Sequence, residues 1–311
     1  MSDLEAFRKH VTQGLRRDTK QLSSKYFYDE KGDQLFQRIM RMPGYYLPRC
    51  EMEIIREKSR DIAERIDAPS VEIIELGAGD GSKTKHLLSS FQKNGKQLRY
   101  IPLDISKDVL VSCKENVLQE LPGLKVECID GDYFKTLSQI ERRHPAIWMF
   151  MGSNIGNYLG EKAHEFLQFL YQKMKAGDYL LLAADLMKHP KIILNAYNDP
   201  EGITRAFNLN LLERINRELD ANFDLESFDH YPYYDPISGT TFSFLVSLAK
   251  QQVTINGEVF NFEAYEVIHT EVSQKYRLRD ISQLGKKAGF EFIEHFTDQN
   301  AYYTVSMFQK K

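Results

Sequence analysis

Val71-Glu72-Ile73-Ile74-Glu75-Leu76-Gly77-Ala78-Gly79-Asp80-Gly81 is a short apolar run followed at once by three glycines. Residues 71–76 have the length and composition of a buried strand. Glycine lets the backbone approach a ligand closely and reach the positive φ of a tight turn. Residues 83–91 read as the helix that follows the loop. The same rhythm then continues. Residues 99–103 read as a second strand ending at Asp104, and 106–117 as a helix. Residues 126–129 read as a third strand, followed by Gly131-Asp132-Tyr133. Residues 146–151 form a fourth, followed by Gly152-Ser153-Asn154-Ile155-Gly156-Asn157. A helix over 161–174 and a fifth strand over 179–184 complete the run. Strands alternating with helices predict a parallel, doubly wound α/β sheet.

Working outward, the alternation is absent on both sides. Residues 1–60 are mainly helical, with a break at Pro43-Gly44 and a restart over 51–66. After Asp185 come a helical stretch (205–219), an aromatic and proline cluster (228–236) and alternating strands (242–250 and 253–262). A helix over 281–288 and two strands, 290–297 and 302–308, end the chain. An antiparallel pair closing a parallel sheet is a common mixed arrangement. The layout predicts a nucleotide-type domain of residues 52–186 plus 275–311, and an inserted α+β lobe of residues 1–51 plus 187–274.

Composition narrows the function. Of 311 residues, 41 are Lys or Arg and 44 Asp or Glu, a net charge of −3. No positive excess offers itself to a phosphate backbone, so no nucleic-acid partner is expected. No apolar run approaches the ~18 residues of a spanning helix, and the N-terminus is too polar for a secretory signal. Cys50, Cys113 and Cys128 are scattered. They predict neither a disulfide framework nor a zinc site, and a reduced, cytoplasmic setting. The eight histidines form no metal signature, and no metal is expected. The 17 tyrosines suit a small-molecule site, since Tyr has an apolar face and a polar tip. Nothing fixes the oligomeric state; a monomer is the simplest expectation.

Ligands of open α/β sheets sit outside the carboxyl ends of the strands. Asp104, at the end of the second strand, is placed to take ribose hydroxyls, and Asp132-Tyr133 to offer an acceptor and a ring face. Lys83, at the start of the first helix, can pair with a carboxylate. Asn157 carries both donor and acceptor, which suits an amine or a carboxylate. Glu271 and Ser273 are two apart, so an extended segment turns both to one face. A carboxylate there can accept an N–H or pair with a cation, and a hydroxyl can donate or accept.

The Glu75-Leu76-Gly77-Ala78-Gly79-Asp80-Gly81 pattern resembles the first motif of S-adenosylmethionine-dependent methyltransferases and differs in spacing from a dinucleotide fingerprint. The blocks around it are more specific. Lys25-Tyr26-Phe27-Tyr28-Asp29, Leu35-Phe36 and Pro43-Gly44-Tyr45-Tyr46 resemble the N-terminal signature of the histidine Nα-methyltransferase family, which makes trimethylhistidine (hercynine) on the way to ergothioneine. Gly152–Asn157, Tyr197-Asn198-Asp199, 207–212 and Ile268-His269-Thr270-Glu271-Val272-Ser273 continue it in order. The resemblance runs from about residue 20 to the C-terminus. It implies a class I, Rossmann-like methyltransferase sheet with an inserted α+β substrate lobe, using S-adenosyl-L-methionine. Carried over, it implies a methyl-donor site of Tyr28, Gly77, Lys83, Asp104, Asp132 and Tyr133. It implies an amino-acid site of Tyr45, Gly152, Asn157, Tyr197, Glu271 and Ser273, with Tyr45, Asn157 and Tyr197 catalytic. Asn157 and Tyr197 would hold the α-amino and carboxylate end, and Glu271 and Ser273 the imidazole.

One stretch departs from the family. Thr241-Phe242-Ser243 stands where members usually read Ile-Glu-Met, whose methionine lies near the substrate side chain. That leaves another amino acid or small amine open as acceptor, although a buried carboxylate at Glu271 argues against a plain indole pocket. A non-catalytic protein of the same fold is disfavoured by intact Asp104, Asn157 and Tyr197.

Overall fold

The computed structural model describes residues 3–311. In chain order its elements are α1 (Asp3–Leu15), β1 (Lys20–Gln21), α2 (Glu30–Arg41), α3 (Leu47–Glu64), β2 (Ser70–Leu76), α4 (Thr84–Lys93), β3 (Gln97–Asp104), α5 (Lys107–Glu120), β4 (Lys125–Val126), β5 (Ile129–Asp130), α6 (Tyr133–Thr136), β6 (Ala146–Phe150), α7 (Glu161–Lys173) and β7 (Tyr179–Asp185). They continue with α8 (Pro190–Tyr197), α9 (Ile203–Leu219), β8 (Phe228–Asp235), β9 (Thr240–Ser247), β10 (Gln251–Ile255), β11 (Glu258–Phe262), β12 (Val267–Gln274), α10 (Leu278–Lys287), β13 (Glu291–Thr297) and β14 (Tyr303–Gln309). The chain divides into two compact units. One is Leu47–Met187 with Gln274–Lys311; the other is the chain up to Tyr46 with Lys188–Ser273.

The first unit holds the doubly wound sheet. Its strand order is β13-β14-β7-β6-β2-β3-β4, with β5 also on β3. β2 pairs in parallel with β3 on one side and β6 on the other, in the registers Leu76↔Leu103 and Leu76↔Phe150. β14 is antiparallel to both β7 and β13. Central strands are apolar because both faces are covered. Ile74, Leu76, Ile101, Leu103, Trp148, Phe150, Leu180 and Leu182 join Phe166, Leu167, Leu170 and Phe308 in one core.

The second unit has a four-stranded sheet, β1-β12-β9-β8, and a separate β10–β11 hairpin. Its core unites Phe7, Phe27, Leu35, Phe207, Leu211, Leu212, Ile215, Phe228, Leu245 and Ile268. α2 starts where Asp29 caps it, accepting from the Gly32 N–H at 2.8 Å. Asp29 also accepts from Asn210 Nδ2 (2.7 Å) and from Arg217, which fastens α2 to α9.

Four details differ from the sequence reading. Residues 47–51 lie in α3 and so with the parallel sheet, because that helix runs unbroken from Leu47. Residues 126–129 are not one strand; two-residue strands flank a gap there. Residues 253–262 fall into two strands turned at Asn256-Gly257, both at positive φ (48° and 82°), the usual signature of a tight hairpin. The aromatic cluster over 228–236 contains a strand, β8, which tolerates Pro232 because it lies at the edge of its sheet.

Glu75 is the buried acid of β2. Its Oε1 accepts from Thr84 Oγ1 at 2.8 Å and its Oε2 from the Tyr100 hydroxyl. Desolvation outweighs both bonds and raises its pKa from 4.5 to about 7. Between these values the native state keeps a proton that the unfolded chain has lost, so stability falls as pH rises across that window. The shift corresponds to about 3 kcal/mol. Glu75→Gln should therefore flatten the decline of the urea midpoint between about pH 5 and about pH 7. A variant whose midpoint declines as steeply as the parent's would remove Glu75 as the cause.

Candidate active site

The strand order reverses at β2, and the crevice outside such a reversal is the ligand position of open α/β sheets. The loop after β2 is held from β3. Gly77 and Ala78 N–H donate to Leu103 O at 2.8 and 3.1 Å, and Gly79 N–H to Asp104 Oδ2 at 3.1 Å. Gly77, Gly79 and Gly81 have φ of +72°, +58° and +68°. A Cβ at Gly79 would meet nothing within 4 Å, whereas one at Gly81 would lie 2.8 Å from Cys113 Sγ. Gly79 thus leaves open space above the loop, and Gly81 lets α5 approach.

Asp104 is half-buried, and its Oδ1 accepts from Ser106 N–H at 3.1 Å. Each carboxylate oxygen can accept more than once, so the group can still meet ribose hydroxyls. Gly131 N–H donates to Asp104 O at 2.9 Å, which brings the next loop alongside. There Asp132 is exposed and caps α6, accepting from Phe134 N–H at 3.0 Å. Tyr133 packs edge-on to Phe150 and shares a 2.8 Å hydroxyl contact with Tyr158. Burial raises the Tyr133 pKa, so it remains a neutral hydroxyl.

The loop after β6 turns through Gly152 (φ +71°) and Ser153 (φ 59°). Ser153 tolerates the left-handed conformation because its Oγ accepts from Asp185 N–H at 2.8 Å, within the sheet. Asn154 Nδ2 lies 3.5 Å from the Cβ position of Gly77 and 3.4 Å from that of Gly152. It stands between the two glycine loops, a placement that its turn-rich surroundings concealed. Asn157 is exposed at the end of the same short 3₁₀ turn.

Lys83 stands just before α4 and pairs with Glu51 of α3. Glu51 is only 1% exposed. Sequence reasoning missed it, because an acid among charged helix residues reads as a solvated face. Burial pushes the Lys83 ammonium down.

The other unit carries Tyr28, Tyr45, Tyr197, Glu271 and Ser273. Tyr197, the last residue of α8, donates its O–H to Ser273 Oγ at 3.0 Å. The Tyr45 ring lies edge-on to Tyr197 at 6.4 Å. Those three side chains are brought together. Glu271 is half-buried, two residues from Ser273 on β12; its carbonyl is 3.1 Å from His269 Nε2. Tyr28 packs elsewhere in the unit, edge-on to Phe36 and Phe207. In the departing stretch, Thr241 and Ser243 are buried, and Ser243 O accepts from Thr270 Oγ1 at 3.0 Å, next in sequence to Glu271. Phe242 stacks between Tyr233 and Phe244, with His269 beside it.

A family model described as histidine-specific methyltransferase, SAM-dependent, matches residues 7–310. The chain belongs to that family. It is 34% identical over 307 residues to a histidine N-alpha-methyltransferase of Mycobacterium tuberculosis, covering 98% of this chain and 95% of that one. It is 35% identical over 309 residues to the enzyme of the same name from Mycolicibacterium smegmatis, with the same coverage. Ergothioneine biosynthesis protein 1 of Schizosaccharomyces pombe is 30% identical over 317 residues, 97% of this chain and 40% of that protein. The protein is thus an S-adenosylmethionine-dependent N-methyltransferase on a Rossmann-like sheet. The residues at the carboxyl ends of β2 and β3 fit the donor: an open backbone cradle at Gly79 and a carboxylate at Asp104 with acceptor capacity to spare.

Two alanine substitutions separate the roles of the glycines. Gly79→Ala strains only the backbone and should cost about 1–2 kcal/mol in the donor-free protein. Gly81→Ala adds the contact with Cys113 and should cost about 2–4 kcal/mol. Urea denaturation of both variants measures the difference; equal losses would mean that α5 yields to the methyl group.

Proposed function

We propose that the enzyme methylates the α-amine of free L-histidine, three times in succession, to give trimethylhistidine (hercynine). S-adenosylmethionine supplies an electrophilic methyl on a sulfonium. The residue-level reading rests on the Tyr197–Ser273 bond, which joins an acceptor-site tyrosine to the hydroxyl that neighbours Glu271. Family membership supports histidine as the acceptor.

In this reading the unit Leu47–Met187 with Gln274–Lys311 binds the donor. Asp104 takes the ribose hydroxyls, the Gly77–Gly81 backbone lies against the donor, and Asp132 and Tyr133 meet the adenine. Lys83 holds the methionine carboxylate, with Glu51 as its counter-ion. Tyr28 is assigned to the donor by family resemblance alone. By family resemblance Gly152, Asn157, Tyr45, Tyr197, Glu271 and Ser273 are the residues assigned to the amino acid. Asn157 and Tyr197 orient its amine and carboxylate; Glu271 accepts a ring N–H, and Ser273 meets the second nitrogen.

The amine must be neutral before each attack. A desolvated site beside a positive sulfonium favours the neutral form, so no strong base is required. Tyr45 and Tyr197 carry hydroxyls able to relay the proton and rings whose faces suit the growing cation. The rest of the site holds the amine in line with the methyl, which is where most of the rate gain of such a transfer lies. The free cysteines Cys50, Cys113 and Cys128 support a cytoplasmic setting. Phe242 and Ser243 favour one competing reading, the same transfer to another amino acid.

Mass spectrometry of the products formed from a pool of the twenty amino acids tests the acceptor directly, and trimethylhistidine is the expected product. Asp104→Ala should weaken donor binding by about 1.5–3 kcal/mol. Calorimetry with S-adenosylhomocysteine reads this, and unchanged affinity would remove Asp104 from the site. Glu271→Gln should raise KM for histidine and lower the ratio of histidine to phenylalanine turnover by about tenfold or more, since a site built for a polar group discriminates through unpaired partners. Asn157→Ala should lower kcat for both substrates and leave that ratio nearly unchanged. A preserved histidine preference in Glu271→Gln would favour the competing acceptor.

A further inference from the structure

Glu51 is buried, yet its carboxylate touches the Gly152 loop, Lys83 and the last strand. Its Oε1 accepts from the Gly152 N–H at 2.6 Å and from the Tyr303 hydroxyl at 2.8 Å. Its Oε2 accepts from the Lys83 ammonium. The partners come from the loop after β6, from β14 and from the residue that precedes α4. A carboxylate with 1% exposure is costly unless its charge is matched and its lone pairs are used, and here both conditions are met.

We infer that Glu51 is a positioning residue for the methyl donor: one oxygen fixes Lys83 as a charged anchor for the donor's carboxylate, while the other holds the Gly152 loop in register with it. The inference rests on Lys83 binding that carboxylate, as proposed above. Lys83 keeps 30% of its side-chain surface exposed, and its ammonium is paired with Glu51. An ammonium has three donors, and Glu51 takes one of them. Burial lowers the Lys83 pKa to about 8, and the Glu51 carboxylate lies against the ammonium. Because Gly152 hangs on the other oxygen, donor anchor and acceptor loop share one rigid support.

Glu51→Gln separates the two halves without changing shape. The amide oxygen can still accept from Gly152 and Tyr303, but the amide N–H groups then face the Lys83 ammonium. Affinity for S-adenosylhomocysteine, read by calorimetry, should fall about tenfold or more, the scale of a lost charge-assisted bond. The KM for histidine should change much less. In a Lys83→Gln background the same Glu51→Gln change should have little further effect on S-adenosylhomocysteine affinity, because its route to the donor is gone. Circular dichroism and a thermal midpoint establish that each variant is folded; if Glu51→Gln does not fold, Lys83→Gln together with Tyr303→Phe gives the comparison, with only the lysine change weakening S-adenosylhomocysteine. Additive losses in the double variant, or equal rises in the histidine KM and the donor Kd, would overturn the inference and leave Glu51 a structural residue. Parent protein that binds S-adenosylhomocysteine normally but is indifferent to Lys83→Gln would strike the Lys83 assignment instead.

Discussion

β2 is flanked in parallel by β3 and β6, and the rest of the crevice follows from that one arrangement. Parallel strands end at the same edge, so the loops after Leu76, Asp104 and Phe150 must all turn within a small space. A side chain at Gly79 would occupy open space above the loop, and one at Gly81 would press on Cys113. The chain meets the constraint with glycine and with backbone anchored across strands: Leu103 O takes two N–H groups, Asp104 takes a third, and Ser153 is tied to β7. These bonds make the loops rigid. A rigid backbone cradle holds a donor and an acceptor at a fixed approach without reorganising at the moment of transfer.

The same residues therefore serve fold and site together. Asp104 is both an anchor of the glycine loop and a candidate ribose ligand. Asp132 caps α6 while its loop is bonded back to Asp104 O. Ser273 accepts from Tyr197 and is a candidate imidazole partner. A polar group held by one bond has fewer orientations open to it, and its remaining lone pairs or protons point in known directions. Preorganisation of this kind lowers the ordering cost when a ligand arrives.

Much of this was legible in the sequence, for a reason visible at each residue. The strand–glycine–helix rhythm from Val71 onward carries the parallel sheet, because buried strands are apolar runs with punctuated ends. Gly77, Asp104, Asp132 and Gly152 could be found since each lies at the end of a strand or within two residues of it. Where local signal and tertiary role part company, the reading fails. Pro232 hides a strand because only its place at a sheet edge makes it tolerable. Asn256-Gly257 was a hairpin signal passed over within a run of alternating residues. Lys83 reads as the first residue of the helix, which the structure starts one residue later, and its partner is 32 residues upstream on another element. Neither the burial of Glu51 nor the position of Asn154 between two glycine loops leaves a trace in local composition.

Glu51 and Glu75 are both buried carboxylates, but their partners differ. Both lie in the same unit, and each is 2% exposed or less. Glu75 meets only hydroxyls, from Thr84 and Tyr100, with Asp80 and Asp104 nearby to repel its charge. Its proton is accordingly held to about pH 7. Glu51 meets an ammonium, a backbone N–H and a hydroxyl, all of them donors and one of them charged. A donor set with a matching charge stabilises the ionised form, whereas neutral donors in a desolvated strand do not suffice. The difference suits their positions. Glu75 stands behind the glycine loop, where a neutral acid hydrogen-bonded to Thr84 packs the sheet against α4. Glu51 stands beside Lys83 and between the Gly152 loop and β14, so its oxygens are used by three separate elements.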